Sequence, residues 1–209
     1  MNTAFAKVNG YSTAGGNTAS LLSYTLTNLV DGIVIGKVYS FKFRAANVVG
    51  YSPFSVLTRV GFGQRVSSPS TLGADLEQAG ANYVTLVWSE VADADLPTLG
   101  YSLELLNDED IWQEVFDART NPNALTATIT GLKTGKQYTF RAFAYNFNGK
   151  SLPSSSFAIY ACGLPRDMAP PTYVISTKTS ITIEWAPPTV NGGCPIFDFS
   201  VLRDADGTG

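Results

Sequence analysis

Histidine is absent from the 209-residue chain, and its absence excludes several kinds of catalytic and metal site. The sequence has no Ser-His or Cys-His nucleophile pair, and it lacks the usual general base and the commonest metal ligand. Its two cysteines cannot form a structural zinc site without other soft ligands. No glycine-rich phosphate loop lies between a strand and a helix. The sequence therefore predicts a protein that is not an enzyme and that has no cofactor and no metal site.

Charged residues are scarce as well, at 15% of the chain, whereas about a quarter is typical. The net charge is −3 and no basic run is present, so the clustered Lys and Arg that bind nucleic acid are missing. No apolar run reaches the roughly 18 residues of a membrane span, so we expect no membrane insertion in this segment. The hydrophobic share of 44% is ample for a folded core.

Apolar side chains recur at every second position in several stretches, which is the period of a half-buried β-strand. Leu22, Tyr24 and Leu26 alternate in this way, and Leu29 then leads into a turn-rich segment. The clearest runs are Val84, Leu86 and Trp88; Tyr101, Leu103 and Leu105; Leu125, Ala127 and Ile129; and Tyr138 to Asn146. The pattern predicts an all-β fold.

Two aromatic landmarks recur at nearly one spacing. Tyr39 and Tyr138 are 138 − 39 = 99 residues apart, and Trp88 and Trp185 are 185 − 88 = 97 residues apart. Each tyrosine is followed eight positions later by an asparagine, and a glycine comes three positions after that. Because independent landmarks give almost the same period, the sequence predicts tandem copies of one unit.

The motifs of this unit resemble those of the fibronectin type III (FN3) domain. A tryptophan on an early strand, the Leu-x-x-Gly-x-x-Tyr turn from Leu132 and the Arg-Ala-x-x-x-Asn run from Arg141 carry the resemblance. It implies tandem immunoglobulin-like β-sandwiches: the C-terminal part of one domain in residues 1–66, a complete domain in 67–165, and the N-terminal part of a further domain in 166–209.

The resemblance also implies roles for the aromatic landmarks. Trp88 and Trp185 should lie in sandwich cores, and Tyr39 and Tyr138 should hydrogen-bond to backbone at a tyrosine corner. The first partial copy departs from the pattern, because Leu29 precedes Tyr39 by ten positions whereas Leu132 precedes Tyr138 by six. The placement of this longer segment is left open.

The two cysteines are expected to meet. In an FN3-like domain the loop between the second and third strands lies at the pole where the chain enters. Cys162 follows the last strand of the complete domain, and Cys194 lies in that loop of the next copy. Both cysteines are missing from the equivalent stretches at the preceding boundary, near 61–63 and 91–97. This paired absence favours an inter-domain disulfide, and hence an oxidising compartment, over two free buried thiols.

Three functions are compatible with such an array. The first is a structural segment of an extracellular or cell-surface fibre, acting as spacer and interaction surface. The second is an adhesion or receptor module whose loops bind a ligand, and the third is an intracellular ciliary or cytoskeletal scaffold. The partner in each case is protein. Neighbouring repeats would complete the partial end domains, and head-to-tail copies of the chain are the alternative.

Overall fold

The computed structural model describes residues 5–6, 8, 22–92, 95–205 and 207. Their regular secondary structure is almost entirely β-strand, as the sequence predicts, with a single four-residue helical turn among the described residues. A complete sandwich occupies the middle of the chain, and a two-stranded sheet lies on either side of it in sequence. The elements in chain order are α1 Asn28–Asp31, β1 Val38–Phe41, β2 Thr58–Gly61, β3 Leu72–Gly80, β4 Tyr83–Trp88, β5 Gly100–Leu106, β6 Trp112–Ala118, β7 Thr126–Thr130, β8 Gln137–Asn146, β9 Gly149–Lys150, β10 Phe157–Tyr160, β11 Thr172–Ser176 and β12 Ile181–Glu184.

The sandwich consists of two antiparallel sheets. One has the strand order β3-β4-β7, and the other has the order β10-β8-β5-β6 with β9 paired to β8. Side chains from both sheets enter one core, where Leu86 and Val84 of β4 and Phe140 of β8 are fully buried. The alternation read from the sequence therefore separates the core face of each strand from its outer face.

Trp88 lies in this core at 5% exposure. Its ring is 6.0 Å from that of Tyr101 on β5 and 5.7 Å from that of Phe116 on β6, so the indole joins the two sheets. Tyr138 opens β8 in the same sandwich, and its hydroxyl accepts a hydrogen bond from Lys133 N at 2.8 Å.

The same contact occurs in the preceding segment, where the Tyr39 hydroxyl accepts from Val34 N at 2.7 Å. Val34 and Lys133 are 133 − 34 = 99 residues apart, which equals the spacing of the two tyrosines. The counterpart of Leu132 is therefore Ile33. These contacts favour a placement, left open by the sequence, in which the extra residues after Leu29 lie before the turn and not within it.

Residues 22–27 also differ from the sequence pattern, since the structure gives them no strand. The helical turn α1 follows them, with Thr27 at its N-cap, where the Thr27 hydroxyl accepts a hydrogen bond from Val30 N at 3.3 Å. Gly32 ends the turn at φ 65°, a conformation that glycine adopts without steric cost. The capped helical turn thus lies at the start of the turn-rich segment, whereas the alternating residues 22–26 before it form no strand.

The segment after the sandwich contains the β11–β12 sheet. Trp185 follows β12 and its ring is 6.3 Å from that of Phe199, an arrangement similar to that of Trp88 and Tyr101. Trp185 is nevertheless 43% exposed, so its expected core position is corrected. The physical reason is that, among the residues described, no second sheet covers this pair of strands.

Candidate functional site: the two ends of the sandwich

The most specific contacts outside the core lie at the two ends of the sandwich, where it meets the flanking segments. We call the contacts of residues 61–64 with residues 95–96, 146 and 148 the first junction. We call the contacts of residues 162–166 with residues 190–194, together with Arg166 on Glu77, the second junction.

Asn148 is the central polar residue of the first junction. It lies in the tight turn between β8 and β9, and its Nδ2 donates to Gly61 O at 3.0 Å and to Gly63 O at 2.8 Å. Its Oδ1 accepts from Gly61 N at 3.1 Å. The side-chain amide thus pairs with the Gly61 peptide group as a neighbouring strand would. Asn146 supports the turn, because its Oδ1 accepts from Asn148 N and its Nδ2 donates to Gln64 O.

Leu96 supplies the apolar part of the first junction and is 1% exposed. A Cβ on Gly61 would lie 2.7 Å from Leu96 Cδ1, and a Cβ on Gly63 would lie 3.0 Å from Leu96 Cγ. Only glycine allows the main chain to approach so closely. Asp95, beside the leucine, accepts a hydrogen bond from Gln64 N at 3.1 Å.

The second junction is covalent. A disulfide joins Cys162 to Cys194, with a Cα–Cα distance of 5.8 Å. Beside it, Gly163 N donates to Gly192 O at 2.8 Å. A Cβ on Gly192 would lie 1.8 Å from Gly163 O, and Gly192 has φ +71°, so this position needs glycine for two reasons.

Main-chain and charged contacts extend the second junction. Arg166 N donates to Val190 O at 2.9 Å, and Val190 N donates back to Arg166 O at 3.4 Å. The guanidinium of Arg166 reaches across to β3 and donates to Glu77 O at 2.9 Å. The segment after the sandwich is therefore attached to it through the disulfide, a main-chain bridge and a side chain.

A charged cluster lies on the outer face of the sandwich. The Glu104 carboxylate accepts from Arg141 at 2.6 Å and from Lys150 at 2.5 Å. The two cations also lie over aromatic rings, Arg141 over Trp112 and Lys150 over Phe143. Partial burial by itself raises the pKa of the Glu104 carboxyl, but the hydrogen bonds from Lys150 and Arg141 outweigh it and leave that pKa below its usual value.

The contacts at the two junctions connect the sandwich to the segments on either side of it. Among residues 22–92 and 95–205, no three acidic or cysteine side chains come together in a way that could hold a metal ion. In the same part of the chain, no helix has the length and apolarity needed to cross a bilayer.

The site residues named from the sequence fall into two groups. The structure brings Cys162 and Cys194 together and places Trp88 and Tyr138 in one sandwich, whereas Tyr39 and Trp185 lie in the flanking segments. The sequence reading did not identify the residues that form the first junction. The signal available for Asn148 was an Asn-x-Asn-Gly turn at the place where the first copy has Asn-Val-Val-Gly.

Comparison with known proteins agrees with this geometry. The family model described as fibronectin type III domain matches residues 67–159. The mouse fibronectin type III domain containing protein 3C1 is 34% identical over 167 residues, which is 78% of this chain and 12% of that protein. The rat cell adhesion molecule DSCAM is 30% identical over 118 residues, which is 54% of this chain and 6% of that protein.

Among solved structures, the crystal structure of chicken CNTN1 FN1-FN3 domains is similar, with 18% identity and a TM-score of 0.45. The match covers 63% of this chain and 45% of that one. The FN3 module therefore also occurs in a protein named for cell adhesion, as suits a non-catalytic structural or adhesion module. From the sandwich, its tyrosine corner and the family match, residues 67–159 of this chain are a fibronectin type III domain.

Proposed function

We propose that this chain is a non-catalytic spacer segment of a long extracellular or cell-surface fibre protein, in which FN3 domains follow one another in tandem. Residues 1–66 would end one domain, residues 67–165 form a complete one, and residues 166–209 begin a further one. The observation that carries the proposal is that both ends of the sandwich are fastened to the flanking segments, one by the Asn148 amide and one by the Cys162–Cys194 disulfide. Fastened ends set the reach and stiffness of a string of domains.

Repeated hydrogen bonds support the tandem arrangement. Ser151 and Ser154 accept from Ala144 N and Ala142 N in the sandwich, at 3.0 and 2.9 Å. In the preceding segment, 99 residues earlier in each case, Ser52 Oγ accepts from Ala45 N and Ser55 Oγ accepts from Phe43 N, both at 3.1 Å. Two segments that satisfy the same main-chain groups with the same side chains are best explained as copies of one fold.

The disulfide supports the extracellular or cell-surface location. Structural disulfides persist in oxidising compartments and are rare in the cytosol, where thiols are kept reduced. This observation favours a fibre over the ciliary or cytoskeletal scaffold. It also gives the spacer a covalent connection at its second junction that a cytosolic array would lack.

The flanking segments expose apolar side chains that would be interaction surfaces in the parent protein. Phe43 before the sandwich is 76% exposed, and Phe197 after it is 100% exposed. Neighbouring repeats in the parent chain would cover these faces. The same surfaces would support head-to-tail association with a second copy of the chain.

An adhesion module is the second candidate, favoured by the similarity to the cell adhesion molecule DSCAM. It would use the loops of the sandwich to bind a protein ligand. The two candidates differ in what the junctions do, because a loop-based binding module works without fixed junctions. Measuring junction rigidity therefore separates them.

The test uses the full chain and nuclear magnetic resonance relaxation, which reports how fast each segment tumbles. In the oxidised chain we expect residues 22–66, the sandwich and residues 166–205 to share one rotational correlation time. Reduction, or the paired substitution C162S/C194S, should shorten the correlation time of residues 166–205 and leave residues 22–66 unchanged. Independent tumbling of either flank in the oxidised chain would remove the support for a rigid spacer.

A further inference from the structure

Three Asn-Gly pairs occur in the chain, at 9–10, 148–149 and 191–192, and two of them lie at the junctions. Asparagine followed by glycine is chemically reactive, because glycine has no Cβ to hinder attack by its backbone nitrogen on the asparagine side chain. Asn148 is the residue whose amide fastens the first junction, and Asn191 opens the loop that carries Cys194. The same reactive dipeptide therefore lies on both sides of the sandwich in different surroundings.

We propose that Asn148 is a deamidation site whose reaction irreversibly releases the first junction, and that docking of the junction protects it. The inference rests on the proposed function, because the modification has a consequence only where the first junction sets the rigidity of the spacer. Deamidation at Asn148, in the turn between β8 and β9, is a chemical modification that needs no enzyme.

Deamidation consumes one water molecule and releases one ammonia, and it needs no other reactant. The backbone nitrogen of Gly149 attacks Cγ of Asn148, a new C–N bond forms, and the side-chain nitrogen leaves as ammonia with the proton from the Gly149 nitrogen. The resulting five-membered imide then takes up one water and opens to aspartate or isoaspartate. The net change is replacement of an amide by a carboxylate.

The docked structure opposes the first step. Asn148 Nδ2 donates to the carbonyls of Gly61 and Gly63, and Oδ1 accepts from Gly61 N. These three hydrogen bonds fix the side-chain amide, and with it Cγ, against another segment of the chain. Gly149 lies in β9, opposite Asn146, which restrains the attacking nitrogen. Ring closure therefore requires the junction to open, and the reaction rate measures how often it does so.

The product cannot restore the junction. A carboxylate at position 148 has no N–H to donate to Gly61 O and Gly63 O, and it would face both carbonyl oxygens with a negative charge. The loss of the two donated hydrogen bonds and the new repulsion both destabilise the docked first junction. Deamidation would therefore convert a fastened junction into an open one without breaking the chain.

Asn191 is the internal comparison. It is exposed, and its Oδ1 accepts from Gly193 N at 3.0 Å within its own loop. The oxidised full chain is incubated at mildly alkaline pH, and peptide mass spectrometry follows both asparagines, with the chain in denaturant as reference. We expect Asn148 to react at least about tenfold slower in the folded chain than in denaturant, and Asn191 to be slowed less.

A junction-opening variant provides the matched control. In G61A/G63A the new Cβ atoms would meet Leu96 and, at Gly61, Asn148 Oδ1 at 3.0 Å, so docking should fail while the sandwich stays unaltered. Gly73→Ala meets nothing within 4 Å and should leave the Asn148 rate unchanged. G61A/G63A should bring the Asn148 rate close to its rate in denaturant. An Asn148 rate that is the same in wild type and G61A/G63A would overturn the proposal.

The consequence is tested separately with Asn148→Asp, which carries the product carboxylate. Arg65 lies in the exposed stretch between the first junction and the sandwich, so limited trypsin digestion reports release there. We expect at least about fivefold faster cleavage at Arg65 in Asn148→Asp than in wild type. Equal cleavage rates would refute the release, whereas rapid cleavage already in wild type would instead contradict the rigid spacer.

Discussion

Glu104 is the residue whose environment is most unusual, because it holds two cations on a sheet face that also carries two aromatic rings. Its carboxylate is only 12% exposed, so it depends on Arg141 and Lys150 for hydrogen bonds that water would otherwise supply. The cluster ties β5, β8 and β9 together on the side opposite the core.

We predict that Glu104→Gln lowers the free energy of unfolding of the sandwich by about 1 to 2 kcal/mol at neutral pH, since it removes a carboxylate that accepts from two cations. The pKa of Glu104 is lowered in the folded protein, so its contribution is fully present above the ordinary glutamate pKa of about 4.3. The contribution is lost as the pH falls through the lowered value.

Urea unfolding of the wild type and of Glu104→Gln, from neutral pH down to below the pKa of Glu104, measures how the free energy of unfolding of each depends on pH. The stability difference between wild type and Glu104→Gln should shrink as the solution is acidified. Glu109→Gln, at an exposed turn position, is the control and should show little difference at any pH. A difference for Glu104→Gln that does not depend on pH would argue against the charged cluster.

At the scale of elements, β8 shows how a strand is completed without a full partner. After the short β9, the chain returns past β8, and Ser151 and Ser154 each accept a buried main-chain N–H of β8 through the hydroxyl. Their own N–H groups donate to Ala144 O and Ala142 O, both at 2.9 Å. The serines thus take the place of a regular strand ladder before β10 begins.

We predict that Ser151→Ala lowers the free energy of unfolding by about 1 to 2 kcal/mol, because the buried N–H of Ala144 loses its acceptor. Ser155→Ala, at an exposed position nearby, is the matched control. Chemical denaturation of the two variants measures both changes. Equal stabilities for Ser151→Ala and Ser155→Ala would show that the hydroxyl is not needed.

The strands that the sequence predicted best are those with regular alternation. β4, β5, β7 and β8 follow the period-two runs within one or two residues of each end. β3 was missed, because Asp75, Glu77 and Gly80 interrupt any alternation and its position depends on pairing with β4. β3 and β4 form a hairpin with only two residues between them, and pairing with a neighbour can define a strand that shows no alternation of its own.

Part of the candidate site, the disulfide at the second junction, could be predicted from the sequence for a different reason. Cysteine has a distinctive chemistry, so the Cys162 and Cys194 pair could be proposed once the FN3 resemblance implied that both lie at one domain boundary. Asn148 and Leu96 are ordinary residues in loops, and what makes them important is the close approach of Gly61 and Gly63. That approach depends on how two segments meet in space, which alternation within either segment does not encode.

At the scale of the molecule, the two junctions differ in kind. The first is held by hydrogen bonds and one leucine, which can separate and re-form. The second contains a covalent bond across a sequence separation of 32 residues. When the chain is pulled from its ends, tension that reaches Cys162 passes through the sulfur atoms to Cys194, and the main chain between them carries none.

We predict that single-molecule extension of the oxidised chain lacks the length of this bypassed stretch. At about 3.4 Å per extended residue, 32 residues span roughly 110 Å, so reduction should add about 100 Å to the fully stretched chain. The C162S/C194S variant should reach the longer extension with or without reductant. Identical lengths for oxidised and reduced chains would rule out a bypass.

The strands β11 and β12 lie inside the bypassed stretch. A pull on the two ends of the chain therefore cannot extend these strands until the disulfide is reduced. Under oxidising conditions residues 162–194 would therefore not lengthen under load, and a local reductant would make their extra length available.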